Sequence, residues 1–311
     1  YSSTVLFFPF LFPENLRFMY FDGAAVIITF MLLGRYLEEN SKQKAGDFLK
    51  KLISLAPQNA NLVKEDNSIE TIQANLLKIG DKVIVTSYDL GMNTDGGFAE
   101  YIKVPAAWAV KLPENMTMKE AMIYGTAGLT AGMSVLRLSE SIKPADGKIV
   151  VSGATGGVGS LSVSILSKLG YTVVAITGKE AESDYLLNLG AKEILLRSEI
   201  ENFDKKPLLR PLFAGAIDTV GGVILENIIK ATNTMGVVTC CGNVASPKLA
   251  MTVFPFILRG ITLIGIDSQN YPMKYRTKVW NMLAKNWKPV QILDTYTEIK
   301  LEEIQNKIDL I

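Results

Sequence analysis

At 311 residues, 48% of them hydrophobic and 20% charged, the chain has the balance of a globular protein and the length for two domains. A net charge of +1 offers nucleic acid no electrostatic footprint, and the lack of any histidine removes histidine triads, histidine general bases and most zinc sites. The only cysteines, Cys240 and Cys241, are adjacent and cannot build a disulfide framework, so a reducing, cytoplasmic compartment is expected and a metal site is not.

The chain starts at Tyr1 rather than Met, which suggests a fragment, and it has no basic stretch followed by a cleavage site to suggest a signal peptide. Apolar density is highest in Val5–Phe12 and Gly23–Gly34. Neither run alone reaches the roughly 20 residues needed to cross a bilayer. Extended over Phe18–Tyr36 the second does, with Asp22 inside it and Arg35 near its end. Hydropathy leaves two readings open, a buried or interfacial helix and a membrane span. In the second, Lys42, Lys44, Lys50 and Lys51 would lie on the cytoplasmic side. Leu37–Leu55 then reads as an amphipathic helix ended by Pro57.

Short strands are expected at Asn61–Val63, Ile69–Ile72 and Lys82–Val85, with turns at Asn67-Ser68 and Gly80-Asp81. Gly91–Gly97 reads as a loop, Phe98–Val104 as a strand, and Met118–Ile123 as a helix preceded by Pro113. From Ile149 to Gly265 the pattern becomes regular. Strands are expected at Ile149–Val151, Thr172–Ile176, Glu193–Leu196, Ala216–Val220, Val237–Cys240 and Thr262–Ile266. Helices are expected between them at Leu161–Leu169, Ala181–Leu189, Val223–Ala231 and Pro255–Leu258. Alternation of this kind predicts an α/β fold with a doubly wound parallel sheet of Rossmann type.

The first unit of that sheet carries Gly153-Ala-Thr-Gly-Gly-Val-Gly159 between strand and helix. Glycines there allow a tight turn, close approach of backbone to a dinucleotide pyrophosphate, and close packing of helix on strand. The anion would sit at the helix N-terminus. At the end of the second strand an NAD-preferring unit places a carboxylate for the ribose 2′-OH. Here the strand ends in Thr177, Gly178 and Lys179, with no carboxylate before Glu180. A hydroxyl, an open backbone and a lysine suit a 2′-phosphate, so NADPH is favoured; alternatively Lys179 is only a solvated surface lysine.

Two resemblances to known families cover different parts of the chain. Phe21-Asp-Gly-Ala-Ala-Val-Ile-Ile-Thr-Phe-Met-Leu-Leu-Gly-Arg-Tyr-Leu-Glu38, Leu55-Ala-Pro57 and Ile79-Gly-Asp-Lys-Val83 resemble the entry into the actuator domain of heavy-metal (copper-type) P-type ATPases, over about 1–85. That favours a membrane helix over Phe18–Tyr36 and membrane association through it. It does not imply transport, because the chain lacks the Thr-Gly-Glu, Cys-Pro-Cys and Asp-Lys-Thr-Gly motifs of such pumps.

The second resemblance spans about 80–311 and is to zinc-free medium-chain dehydrogenases/reductases, most closely acrylyl-CoA reductases and quinone oxidoreductases. It rests on Gly80-Asp-Lys-Val-Ile-Val-Thr86, Gly96-Gly-Phe-Ala-Glu-Tyr101, Tyr124-Gly-Thr-Ala-Gly-Leu-Thr-Ala131 and the glycine-rich turn. Ala214-Gly-Ala-Ile-Asp-Thr-Val-Gly221, Pro255-Phe-Ile-Leu-Arg259 and Gly265-Ile-Asp-Ser268 extend it. The two resemblances meet at Gly80-Asp81, so the chain reads as a chimera. Its expected parts are a hydrophobic and amphipathic helical segment (1–56), a partial actuator-like β segment (57–85), a remnant of the reductase catalytic domain (86–113), the NADPH-binding Rossmann domain (114–268) and a truncated return segment (269–311).

The reductase resemblance implies that Thr155, Gly156, Gly157 and Val158 line the pyrophosphate and that Arg197 holds the 2′-phosphate. It also places Asn243, Ile257 and Ser268 near the nicotinamide. By position alone Arg197 could equally be a strand-end charge, and Ile257 and Ser268 core packing. Thr126 and Thr130 rank lower as cofactor contacts, Asp218 reads equally as a turn cap, and Tyr124 is a core tyrosine in preference to a proton donor. No catalytic acid or base emerges. The implied activity is NADPH-dependent reduction of a small-molecule enoyl thioester or quinone, weakened because most of the family's substrate domain is replaced, with a homodimer compatible. The competing readings are a membrane-tethered nucleotide-binding module and a non-functional chimera.

Overall fold

The computed structural model describes residues 2–17, 32, 59–63, 69–73, 80–289 and 296–308. The expected helices at Phe18–Tyr36 and Leu37–Leu55 lie outside the described residues. At the front, helix α1 (Ser2–Phe7) buries Val5 and is followed by two single-turn 3-10 segments. Strands β1 (Asn59–Val63) and β2 (Ile69–Gln73) form a two-stranded sheet.

Strand β3 (Val83–Val85) pairs antiparallel with β4 (Ala109–Lys111), Ile84 facing Val110, and these two residues are buried. The expected strand at Phe98–Val104 does not form. The segment lacks regular structure and leaves Phe98 and Tyr101 exposed, because no described strand runs alongside to take its backbone hydrogen bonds. Pro113 precedes α2 (Met118–Ser139), whose stretch before Gly125 agrees with the expected Met118–Ile123 and which then continues beyond it. Its start is a capping box, with Thr117 Oγ1 accepting from the Glu120 amide and the Glu120 carboxylate accepting from the Thr117 amide. Gly125, at φ 49° and ψ −150°, breaks the helix into two stretches. The second stretch, from Thr126, packs Leu129 and Met133 into the core.

The rest is a parallel α/β domain. Strands β5 (Lys148–Val151), β6 (Thr172–Thr177), β7 (Glu193–Leu196), β8 (Phe213–Asp218), β9 (Thr232–Cys240) and β10 (Thr262–Gly265) form one six-stranded sheet in the order β10-β9-β8-β5-β6-β7. Every pairing in it is parallel. Helices α3 (Gly157–Lys168), α4 (Ser183–Asn188), α5 (Arg197–Glu201), α6 (Gly222–Lys230) and α7 (Phe254–Arg259) connect the strands, and α8 (Met273–Ala284) follows β10. A last short helix, α9, spans Ile304–Ile308.

Central strands buried on both faces explain why β8 is apolar throughout its Phe-Ala-Gly-Ala-Ile run rather than alternating with polar residues. Alternation persists in which core each residue enters. Ile149 and Val151 join a cluster with Leu129, Met133, Ile165 and Trp280, whereas Val150 joins Ile176, Ile200, Ile224 and Ile228 on the opposite face. The sheet order reverses between β5 and its neighbours β6 and β8. The crevice outside the carboxyl ends of these strands is where open α/β sheets bind ligands.

Candidate functional site

Strand β5 ends at Val151, and the chain turns through Ser152–Gly156 into α3. Gly153 has φ 58°, and a Cβ there would lie 2.3 Å from Thr219 Oγ1. A Cβ on Gly159 would lie 2.2 Å from the Gly153 carbonyl oxygen, so only glycine lets the first turn of α3 lie on the loop. The loop is held from below by Ala154 N–H donating to Ile176 O (3.0 Å) and Ser152 N–H donating to Ile217 O (3.0 Å). The N-cap of α3, Gly156, provides no side-chain cap. Gly156 and Gly157 are exposed while Thr155 and Val158 are half-buried, so amides at this helix start open outward. Adding a Cβ to Gly157 would meet the Ala127 side chain at 3.2 Å, which brings the kinked start of α2 to the same place. Thr126 is exposed there; Thr130 is buried and its hydroxyl donates to Thr126 O (2.8 Å).

At the end of β6, buried Thr177 accepts the Lys179 amide through Oγ1 at 2.9 Å, which tightens the turn over Gly178. Arg197, the first residue of α5, reaches across from β7. A Cβ on Gly178 would stand 3.4 Å from the Arg197 Cζ and Nε atoms, so the guanidinium lies directly over that glycine. Neither Arg197 nor exposed Lys179 has a side-chain hydrogen bond or ion pair among the described residues. Two cations without a protein anion thus flank an open backbone at the β6–β7 end.

The other end is built differently. Asp218, buried at the end of β8, accepts from Ser152 Oγ (2.6 Å) through Oδ1 and from the Gly221 amide (2.9 Å) through Oδ2. Ser152 Oγ accepts the Thr219 amide at 3.0 Å, and Thr219 Oγ1 donates to Ser152 O at 2.9 Å. These bonds staple β5 to β8 where the sheet order reverses. Asp218 therefore does cap the next turn, as its sequence position suggests, and also spans the crevice. Burial pushes its carboxyl above the usual range, although the donors around it oppose that. Ser152, invisible to motif reading, is the centre of this network; its place directly before the glycine-rich turn was the available signal.

Beyond it, a cleft of about 530 Å³ is lined by Cys240, Cys241, Gly242, Asn243, Gly265, Ile266 and Asp267. Asn243 is exposed in the loop after β9, which packs so tightly on β8 that a Cβ on Gly242 would lie 2.0 Å from Thr219 O. Ser268 follows the cleft-lining Asp267 but its carbonyl is turned to Arg276 (3.1 Å). Ile257, in α7, is 67% exposed, does not line the cleft, and is not core packing. Burial, then the nearby Asp218 carboxylate, raises both thiols, Cys241 to about 12, so they stay protonated at neutral pH. Tyr124 is fully buried, donates to Leu283 O at 3.3 Å and packs edge-on to Trp280, facing away from the crevice chemistry.

Residues 157–285 match the family described as zinc-binding dehydrogenase. The chain has no histidine, and among the described residues no group of three Cys, Asp or Glu side chains could hold a metal ion. The putative quinone oxidoreductase YhfP of Bacillus subtilis is 46% identical over 226 residues, 72% of this chain and 68% of that protein. The probable acrylyl-CoA reductase AcuI of Escherichia coli is 39% identical over 245 residues, 78% and 75% of the two chains. The crystal structure of the YhdH oxidoreductase of Salmonella enterica in complex with NADP superposes with a TM-score of 0.73 at 40% identity, covering 78% and 75%. A crystal structure of YhfP has NAD bound and gives a TM-score of 0.74 at 41% identity, covering 81% and 76%.

Matches to copper ATPases are shorter. The copper-transporting ATPase ccc2 of Schizosaccharomyces pombe is 32% identical over 117 residues, 37% of this chain and 13% of that protein, and so does not establish a fusion. No helix among the described residues is long and apolar enough to cross a membrane. The parallel sheet, the glycine-rich turn and these relatives agree: the chain belongs to the medium-chain dehydrogenase/reductase family.

Proposed function

We propose that the site is that of an NADPH-dependent reductase of activated alkenes, with an enoyl thioester as favoured acceptor and a quinone as second. The observation that carries the reading is the Arg197 guanidinium lying without a protein partner over Gly178, beside Lys179 and one strand away from the open start of α3. A planar fork without a carboxylate partner suits a phosphate monoester. The same position has no carboxylate before Glu180 to take a ribose 2′-OH, which favours NADPH over NADH. Thr155–Val158 would hold the pyrophosphate by backbone amides, and Asn243 would stand at the nicotinamide end.

NADPH bound there would supply the hydride that adds to the β-carbon of the enoyl group. The chain's own part is to hold the two reactants in register. Among the described residues we assign no proton donor at that end: both thiols are held as neutral, weak acids, Tyr124 is buried in the core, and Asp218 is engaged with Ser152 and Gly221. The α-carbon would accordingly take its proton from solvent. In the resembling reductases part of the substrate wall comes from an N-terminal domain that the segment before Gly80 does not resemble, so turnover is expected to be weak.

A fluorescence titration tests the cofactor: NADPH should bind more tightly than NADH, and Lys179→Glu should narrow or reverse the preference. Equal affinities would end the NADPH reading. Oxidation of NADPH on addition of acrylyl-CoA separates a reductase from a nucleotide-binding module without turnover. The ATPase-like origin of the front segment is carried forward as a proposal on its short partial match, and a contiguous DNA or peptide read across Lys78–Tyr88 decides it. Vesicle flotation tests membrane association through Phe18–Tyr36, and sedimentation tests a homodimer.

A further inference from the structure

We infer that Arg276 is the positioning residue of the nicotinamide end: its buried guanidinium fixes the Asp267–Gln269 turn, and with it one wall of the cleft, by tying that turn to Thr86–Tyr88. The inference rests on the cofactor reading above and assigns a role to a residue far from every glycine-rich motif.

Arg276 is 1% exposed in the first turns of α8. Its Nη1 donates to both the carbonyl and the hydroxyl oxygen of Thr86, each at 3.0 Å. Nη2 donates to Ser268 O (3.1 Å) and Gln269 O (3.2 Å). The guanidinium lies 4.5 Å from the Tyr88 ring centre, and that ring stacks on Trp108 at 5.3 Å. Tyr88 N–H donates to the same Gln269 carbonyl at 3.1 Å, and Asp267 Oδ1 accepts the Gln269 amide at 2.9 Å. One cation therefore gathers two loops that are 182 residues apart in sequence, counting from Thr86 to Ser268.

The arrangement is costly, which argues that it does more than dock a helix. A buried cation is held by carbonyls and a ring face rather than by a carboxylate hydrogen bond. Arg276 Nε and Ser87 Oγ are buried without a hydrogen-bond partner. Ser87 (φ 66°) and Tyr88 (φ 54°) both sit in the left-handed region, an unfavoured state for side chains of their size. Docking of α8 needs none of this, because Val279, Trp280 and Leu283 already bury its apolar face in the core. What the guanidinium adds is a hold on the Ser268 and Gln269 carbonyls, the second shared with the Tyr88 amide, directly after Gly265, Ile266 and Asp267 of the cleft wall. Lysine cannot reproduce this, since four acceptors in two directions require a planar fork.

The test compares NADPH with 2′,5′-ADP, which carries the 2′-phosphate half of the cofactor but no nicotinamide. In Arg276→Met and Arg276→Lys, 2′,5′-ADP should bind within about twofold of wild type, while the NADPH dissociation constant rises roughly tenfold, as expected when a remote support lets a positioned group shift. The emission shift of bound NADPH, which reports the nicotinamide surroundings, should shrink in both variants. Thr86→Val removes one acceptor and should show the same asymmetry at smaller amplitude; it decides the matter if the arginine variants do not fold. Equal weakening of both ligands, or unchanged NADPH binding and emission in a folded variant, overturns the positioning role and leaves the cofactor reading intact. A wild-type protein that binds neither ligand overturns both.

Discussion

The two ends of the crevice solve the same problem, holding one extended ligand, by opposite means. The β6–β7 end is local: a glycine-rich turn, a helix start and the Thr177–Lys179 turn, with cations left unpaired for an incoming anion. The β8–β10 end is long-range: Asp218 and Ser152 join strands 66 residues apart, and Arg276 reaches across the domain to Thr86. At the first end the protein supplies donors and waits for charge. At the second its buried polar groups are engaged with one another and it supplies shape. Removing the buried Asp218 staple of the second end should therefore appear mainly as lost stability, and removing an unpaired cation of the first mainly as lost affinity.

The largest expected effect breaks the second end. Asp218→Ala leaves the Ser152 hydroxyl and the Gly221 amide buried without an acceptor, each worth about 1–3 kcal/mol. A loss of about 4 kcal/mol in urea unfolding is expected, and a loss below about 1 kcal/mol would show that the staple is not holding the strands together. Next comes Gly159→Ala, where a Cβ would press on the Gly153 carbonyl oxygen. Because the neighbour is backbone and cannot step aside, about 2–3 kcal/mol should be lost. NADPH affinity should fall with it, since the same loop carries the pyrophosphate amides. Arg197→Met probes the first end alone. The NADPH dissociation constant should rise by about tenfold or more, the value of a charge-assisted phosphate bond, with NADH binding and the melting temperature nearly unchanged. Parallel loss of NADPH and NADH binding would place Arg197 elsewhere than at the 2′-phosphate.

The same contrast explains what could be read from the chain. The local end was legible almost entirely: the parallel alternation, the glycine-rich turn and Thr177-Gly178-Lys179 each depend on neighbours within a few residues. Arg197 needed a family resemblance, because only tertiary structure brings β7 beside Gly178. Ser152 offered only its place before the glycine-rich turn, and Arg276 offered nothing, since an arginine in a helix shows no role until its distant partners are placed. Phe98–Val104 failed for a related reason. Its alternation predicts a strand, but a strand also needs a partner, and none of the described strands pairs with it. The expected helix Met118–Ile123 matches the stretch before Gly125, and what was missed is the second stretch, from Thr126, whose Leu129 and Met133 enter the core.

The subtlest way to sharpen the comparison is pH. Burial raises the Asp218 carboxyl above its ordinary value, so ionising it costs the folded state more than the unfolded one. Its contribution to stability is then fullest below the unfolded carboxylate range near pH 4 and is lost as pH rises through the higher folded value. Asp218→Asn keeps the size and an acceptor but cannot ionise. Unfolding measured for both proteins between pH 4 and 8 should show wild type losing stability relative to the variant as pH increases, by about 1.4 kcal/mol for each unit by which the carboxyl is raised. Glu120 and Asp267, whose carboxyls are lowered by Lys288 and by the Asn270 turn respectively, change stability in the opposite sense. They are common to both proteins and cancel in the difference. A flat difference would mean that the Ser152 and Gly221 donors fully offset burial, and the second end would then be as well adapted to a charge as the first.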